Sequence, residues 1–245
     1  MSELRERVDK ALVARGFFES RAAAQAAIEA GHVQANGSLV TKPSQKLPVD
    51  AKIVATRAHP YVSRGGLKLA HGLETFGVDV NGCRCLDIGA STGGFTDVLL
   101  KAGATHVTAI DVGRDQLHAS LRENARVSVF ETTDARAITG EHITAQTSLI
   151  VTDLSFIALE KALGPALGLA ALGTDIIGLF KPQFQVGRKH VGRGGIVTDL
   201  EATQAAVQVF EDWMKKMGWQ IQRWTASPVA GGDGNSEKLF HSSKL

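Results

Sequence analysis

The chain has 245 residues, 44% hydrophobic and 21% charged, with a formal net charge of +2. That composition excludes a disordered or fibrous chain, and no apolar run reaches the roughly 18 residues of a membrane span, so a soluble, cytoplasmic globular protein of one large domain or a small one joined to a medium one is expected. The charge is uneven: residues 1–60 hold 9 Lys and Arg against 6 Asp and Glu, and residues 61–245 hold 18 against 19, so the basic excess that suits nucleic acid lies at the N-terminal end.

In chain order, "RERVDKALVAR" (5–15) predicts a helix with Val8, Leu12 and Val13 on one face. A break at Gly16 follows, then an N-cap at Ser20, an Ala-rich helix and a stop at Gly31. "HVQANGSLV" predicts a hairpin around Asn36-Gly37, and "KPSQKLPVDAKIVAT" a further turn and strand. Residues 57–60, "RAHP", read as a linker, which places one domain at 1–60 and a second at 61–245. From Tyr61 the pattern becomes strand and helix in alternation, with apolar runs in "RCLDIGA", "HVTAIDVG", "SLIVTDLS" and "DIIGLFKP". That alternation predicts an α/β fold with a doubly wound, Rossmann-like parallel sheet. Ligands of such sheets sit at the carboxyl ends of the strands, where this chain places Asp87, Asp111, Asp153 and Lys181. Cys83 and Cys85 are two apart and point to opposite strand faces, so neither a disulfide between them nor a zinc site is expected, and no metal is called for.

"DIGASTGGFTD" (87–97) puts six small residues, Gly89 to Gly94, between a strand and a helix. A P-loop would continue Gly-Lys-Ser/Thr, whereas Gly94 is followed by Phe95. A dinucleotide fingerprint needs Gly at the third position, where Ser91 stands, and Asp87 would repel a pyrophosphate. A ligand with a cationic centre and an amino-acid end suits that acid, and S-adenosylmethionine (SAM) is such a ligand. Asp111 is placed to accept from ribose hydroxyls, and Asp134 to meet the adenine amino group. The acceptor is approached by exclusion. "VTDLSF" lacks the Asn/Asp-Pro-Pro-aromatic run of amino-group methylation, and both cysteines lie upstream of the loop, away from where a pyrimidine-C5 nucleophile is needed. Asp153 remains, with Lys68, Lys181 and Glu237 from separate places.

Lys68, Asp153, Lys181 and Glu237, in that order around "DIGASTGGFTD", resemble the FtsJ/RrmJ-like 2'-O-ribose methyltransferases. "RVDKALVARGFFESRAAAQAAIEAGHVQANG" resembles an S4 RNA-binding domain. The two joined, with "YVSRGGLKL" and "KPQFQVGR", are similar to the TlyA family, also labelled hemolysin A, of bacterial rRNA cytidine 2'-O-methyltransferases. The resemblance implies that Asp87, Gly89, Ser91, Gly93, Gly94, Phe95, Asp111 and Asp134 surround SAM. It implies a catalytic set of Lys68, Asp153, Lys181 and Glu237, with Lys181 central, and a ribosomal RNA substrate, 23S first and 16S second. A lysine crowded by another cation and partly buried is expected to act as base toward the poorly nucleophilic 2'-OH.

Arg5, Arg7, Lys10, Arg15 and Arg21 are the expected phosphate contacts of the N-terminal domain. "QVGRKHVGRGG" (185–195), with Arg188, Lys189 and Arg193, is expected to be a mobile clamp, and Arg64-Gly65-Gly66 a turn that delivers Lys68. Two rival functions stand beside this one. A membrane-lytic protein needs an amphipathic or spanning segment, whereas the apolar runs are sheet-length and punctuated by glycine. A non-catalytic, ribosome-associated RNA-binding protein has no need of all four catalytic residues.

Overall fold

The computed structural model describes residues 4–18, 20–56 and 58–245, so Arg57 of the expected linker lies outside the described residues. The chain divides into two compact units, residues 1–60 and 61–245.

In the first unit, β1 (Arg5–Arg7) leads into α1 (Val8–Ala14), followed by α2 (Arg21–Glu29), β2 (Val33–Ala35), β3 (Ser38–Leu39), β4 (Lys46–Pro48) and β5 (Ile53–Ala55). The helix expected from Arg5 begins only at Val8. Residues 5–7 pair antiparallel with β4, and Val8 N–H donates to Gln45 O, so a strand satisfies backbone that the sequence pattern assigned to a helix. Ser20 caps α2, its hydroxyl accepting from Ala23 N–H at 3.2 Å. Asn36 (φ 50°) and Gly37 (φ 77°) are both left-handed, as a two-residue hairpin turn requires, and β2 pairs with β3 across them. Val8, Leu12, Ala24, Ile28, Val33 and Val40 form the core of this unit.

The second unit contains α3 (Gly65–Phe76), β6 (Arg84–Ile88), α4 (Gly94–Lys101), β7 (His106–Ile110), α5 (Ala119–Arg122), β8 (Val127–Phe130), β9 (Thr147–Thr152), α6 (Leu159–Ala162), α7 (Gly164–Leu169), β10 (Asp175–Phe180), α8 (Pro182–Gln185), α9 (Leu200–Lys216), β11 (Trp219–Ala226) and β12 (Lys238–Lys244). Seven strands make one sheet in the order β11-β12-β10-β9-β6-β7-β8. The five from β10 to β8 are parallel, and β12 runs antiparallel between β10 and β11. The sheet is therefore mixed at one edge rather than parallel throughout. One apolar layer, from α3 and α4, covers one face, and a second, from α6, α7 and α9, covers the other. The chain order reverses between β6 and β9, and the crevice that opens there is the expected ligand site of a doubly wound sheet.

Candidate active site

The glycine loop owes its form to three close approaches. Gly89 has φ 86°, and a Cβ there would stand 3.0 Å from the backbone oxygen of Asp153, so the ends of β6 and β9 touch only because the residue is glycine. Gly93 has φ 93°, and its Cβ would meet Leu121 at 2.3 Å. At Gly94 a Cβ would meet Ser63 Oγ at 2.3 Å and Gly66 N at 2.9 Å, so this glycine lets the start of α3 settle on the start of α4. Gly65 and Gly66 are the first residues of α3 rather than a turn; the turn lies just before them, and Arg64 is the exposed N-cap.

Two adjoining cavities open along the strand ends. The larger, about 540 Å³, is lined by Ile88, Ile110, Val112, Leu154 and Ile157 together with Asp111 and Asp134. The smaller, about 300 Å³, is lined by Arg64, Lys68, Phe95, Asp153, Ser155 and Lys181, and both share Gly89 and Ser91. Asp87 lies beneath the loop with no exposed surface. It accepts from Thr96 Oγ1 at 2.6 Å, and its other oxygen meets no donor among the described residues. Burial pushes its carboxyl up to about 7, against the pull of the Thr96 hydroxyl and with the help of the Asp153 charge. Asp111 accepts from Ser91 N–H and Gly113 N–H, both at 2.7 Å, which fixes the carboxylate at the cavity mouth. Asp134 is engaged by Arg136 through Nε at 2.9 Å and Nη2 at 2.6 Å, and that guanidinium is the first cause of a carboxyl lowered to about 2. Arg136 thus holds the carboxylate expected to meet an adenine amino group.

The four residues of the expected catalytic set meet as two ion pairs. Lys68 Nζ lies 2.5 Å from Glu237 Oε2, and Lys181 Nζ lies 2.5 Å from Asp153 Oδ1. Both lysines are 8% exposed. Lys181 follows the last residue of β10, Asp153 the last of β9, and Glu237 directly precedes β12. Lys68 sits one turn before Gly72, where a Cβ would press on Ile177 and Leu239; that bare position draws α3 down onto β10 and β12 and brings Lys68 to Glu237. Gly231 likewise makes room for Glu237, since a Cβ there would come within 2.6 Å of Oε1.

Three features escaped the sequence reading. Ser155 Oγ accepts from Lys181 Nζ at 2.8 Å. Phe156, 89% exposed with φ 67°, packs against Phe184 at 5.2 Å, so an open aromatic pair stands beside the lysine. Buried Asn235 donates to Gly195 O and accepts from Val197 N–H, both at 2.9 Å. The segment expected to be a mobile clamp forms short 3-10 turns at Arg188–His190 and Arg193–Gly195, with Asn235 bonded at Gly195 and Val197 and with Arg188, Lys189 and Arg193 exposed. An asparagine two residues before Glu237 amid glycines was the signal available in the sequence.

In the N-terminal unit, Arg15 donates to Ala51 O, Val49 O and Glu6 Oε1, and so ties the unit together instead of facing outward as expected. Arg7 and Arg21 both grip Asp9, which is fully buried, through their Nε and Nη2 atoms, while Arg5 and Lys10 are exposed.

Residues 61–244 match the FtsJ-like methyltransferase family, and residues 6–53 match the S4 domain. The chain is 44% identical over 235 residues, 95% of its length and 88% of the relative's, to a protein of Mycobacterium tuberculosis named 16S/23S rRNA (cytidine-2'-O)-methyltransferase TlyA. It is 42% identical over 183 residues, 74% of its length and 70% of the relative's, to the 23S rRNA (cytidine-2'-O)-methyltransferase TlyA of Campylobacter jejuni. A solved structure from Streptococcus thermophilus, named "Putative hemolysin", matches at 35% identity with a TM-score of 0.77, covering 100% of this chain and 90% of that one. With a family match that runs through the whole second unit and takes in both ion pairs, the chain belongs to the FtsJ-like methyltransferases, and it carries an S4 domain ahead of the methyltransferase fold.

Proposed function

We propose that the protein methylates the ribose 2'-oxygen of a cytidine in ribosomal RNA, with SAM as methyl donor. The observation that carries this reading is the convergence of Lys181–Asp153 and Lys68–Glu237 at one end of a cleft whose other end is acidic and apolar. The donor set suits SAM. Asp111 and Asp134 on the cavity wall, with Asp87 buried beneath the loop behind them, favour a cationic ligand over a diphosphate, and Ile88, Ile110, Val112 and Leu154 offer apolar walls to a flat base. Gly89, Ser91, Gly93, Gly94 and Phe95 would form the floor and rim around it. When bound, SAM supplies an electrophilic methyl carbon on a sulfonium, a good leaving group that calls for no metal.

The protein's task is then the acceptor. A 2'-OH is a weak nucleophile until its proton is drawn off. Lys181 would release its own proton to solvent before the RNA is seated and then take up the hydroxyl proton at Nζ, while SAM would supply the methyl group. Asp153 then faces the ammonium it helped create. Lys68, held by Glu237, sets a second cation beside the developing oxyanion. Alignment supplies the rest, because the reacting atoms are held near contact distance. Phe156 and Phe184 give the target base a surface to stack on, as single-stranded or splayed RNA bases need. Arg64, Arg188, Lys189 and Arg193 of the methyltransferase unit, and Arg5, Lys10 and the outer edges of Arg7 and Arg21 in the S4 unit, would meet phosphates. The relatives are named for 16S and 23S rRNA in one case and 23S rRNA in the other, which supports an rRNA substrate, taken here as part of ribosomal subunits and met by a cytoplasmic enzyme. The membrane-lytic alternative gains no support from the fold: among the described residues no helix is long and apolar enough to cross a membrane.

The test is transfer of tritium from methyl-labelled SAM to undermethylated bacterial ribosomal subunits. Label in rRNA that Lys181→Ala abolishes is the expected result. A protein that binds SAM yet labels neither subunit nor naked rRNA would remove the reading.

A further inference from the structure

Two acceptors hold Lys181, and only one of them aims it. Nζ is 2.5 Å from Asp153 Oδ1, yet the contact lacks hydrogen-bond alignment, and Oδ1 has no hydrogen-bond partner among the described residues. A charge contact of that kind neutralises an ammonium without fixing its N–H directions. The aligned bond goes instead to Ser155 Oγ, at 2.8 Å.

Ser155 is exposed, and its neighbour ties the segment that carries it to the segment that carries Lys181. Phe156, the next residue, has φ 67°, a left-handed conformation that bulky residues rarely adopt and that concentrates at functional sites. Its ring packs on Phe184, three residues after Lys181. The stretches 153–156 and 181–184 are therefore joined twice, once by Ser155 to Lys181 and once by the two rings. Ser155 also lines both cavities, so its hydroxyl stands where they meet.

We infer that Ser155 is a positioning residue that directs the lone pair of Lys181 at the substrate hydroxyl. The inference rests on the proposed role of Lys181 as base. A neutral amine at the end of a lysine has three staggered positions about Cε–Nζ, two filled by hydrogens and one by the lone pair. Ser155 holds one hydrogen. The Asp153 carboxylate repels a lone pair and attracts the second hydrogen. One position is left for the lone pair, whereas without Ser155 the lone pair can take either of the two positions that Asp153 does not fill.

Single-turnover methylation of undermethylated subunits, followed across pH with wild type, Ser155→Ala, Ser155→Thr and Lys181→Ala, tests this. SAM affinity and Tm are measured for each protein. Ser155→Ala is expected to lose about 10- to 100-fold in rate, with SAM affinity and KM for RNA unchanged. Ser155→Thr keeps the hydroxyl and is expected to recover the rate to within about threefold of wild type. A Ser155→Ala rate equal to wild type, a rate loss matched by lost SAM affinity, or a threonine variant no better than alanine would each overturn the proposal. Full activity in Lys181→Ala would show that the base assignment itself is wrong, and the role of Ser155 falls with it.

Discussion

Asp87 combines complete burial, one bonded oxygen and a carboxyl raised to about 7. Its folded pKa lies above the unfolded value of 3.8, so the native state binds the extra proton between those two values. In the SAM-free protein this group therefore costs nothing below about pH 3.8 and lowers stability progressively as pH rises toward 7. Asp87→Asn is expected to raise the Tm of the SAM-free protein by about 2–6 °C at pH 8, with no gain near pH 4, and to weaken SAM binding. Calorimetry at both pH values checks it; an equal Tm change at the two would contradict the cause. Asp9 shows the opposite case. Buried against two guanidiniums, with the Arg7 hydrogen bonds as the first cause, its carboxyl is held well below the usual range. Asp9→Ala would leave Arg7 and Arg21 facing each other without their shared acceptor. It is expected to cost about 1–3 kcal/mol of S4-unit stability, since charge-assisted hydrogen bonds are lost while both half-exposed guanidiniums stay within reach of water. Denaturant unfolding measures it, and a wild-type midpoint would show that the cluster carries no such weight.

Among the elements, α3 depends most on bare backbone. Gly66 leaves room for the Tyr61 ring, Gly94 for Ser63 and Gly66 N, and Gly72 for Ile177 and Leu239. Gly94→Ala is expected to displace the start of α3, cost about 1–3 kcal/mol of stability and lower the methylation rate by moving Lys68 away from Glu237. Unchanged rate and Tm together would contradict that account. The glycines were visible in the sequence, but which element each one admits was not, because a close approach depends on tertiary neighbours. Asp87, Asp111, Asp153 and Lys181 could be read directly, since each sits at or near the carboxyl end of an apolar, sheet-forming run. Lys68 and Glu237 lie on a helix and ahead of an antiparallel strand, where no periodicity marks them, and only the family resemblance singled them out. β12 was hidden for a related reason: His241 and Ser242 give it a polar sequence, yet both are buried. His241 Nε2 and Ser243 Oγ bond to Asp175 Oδ1 at 3.1 and 2.6 Å, a cross-strand arrangement that sequence alone does not display.

At the scale of the whole molecule, the formal charge of +2 understates what the protein presents to a polyanion. The basic residues divide into those spent internally, as Arg15 is on Ala51, Val49 and Glu6, and those left exposed, such as Arg5, Lys10, Arg188 and Lys189. The double variant Arg5→Ala/Lys10→Ala is therefore expected to raise KM for ribosomal subunits and to reduce the salt dependence of binding by about one unit of slope per lost phosphate contact, with kcat unchanged. A fall in kcat at constant KM would assign those residues another role. That one sequence carries both an S4 domain and an FtsJ-like methyltransferase could be recognised from short motifs, since the glycine loop and the capped Ala-rich helix are local signals. The acceptor atom is a matter of chemistry at the paired lysines, and it is decided by the modified nucleoside. Digesting rRNA methylated by the wild-type enzyme and identifying the labelled nucleoside by mass spectrometry is the direct measurement. The account predicts 2'-O-methylcytidine with an unmodified base; a methyl group on the cytosine ring or its amino group would contradict it.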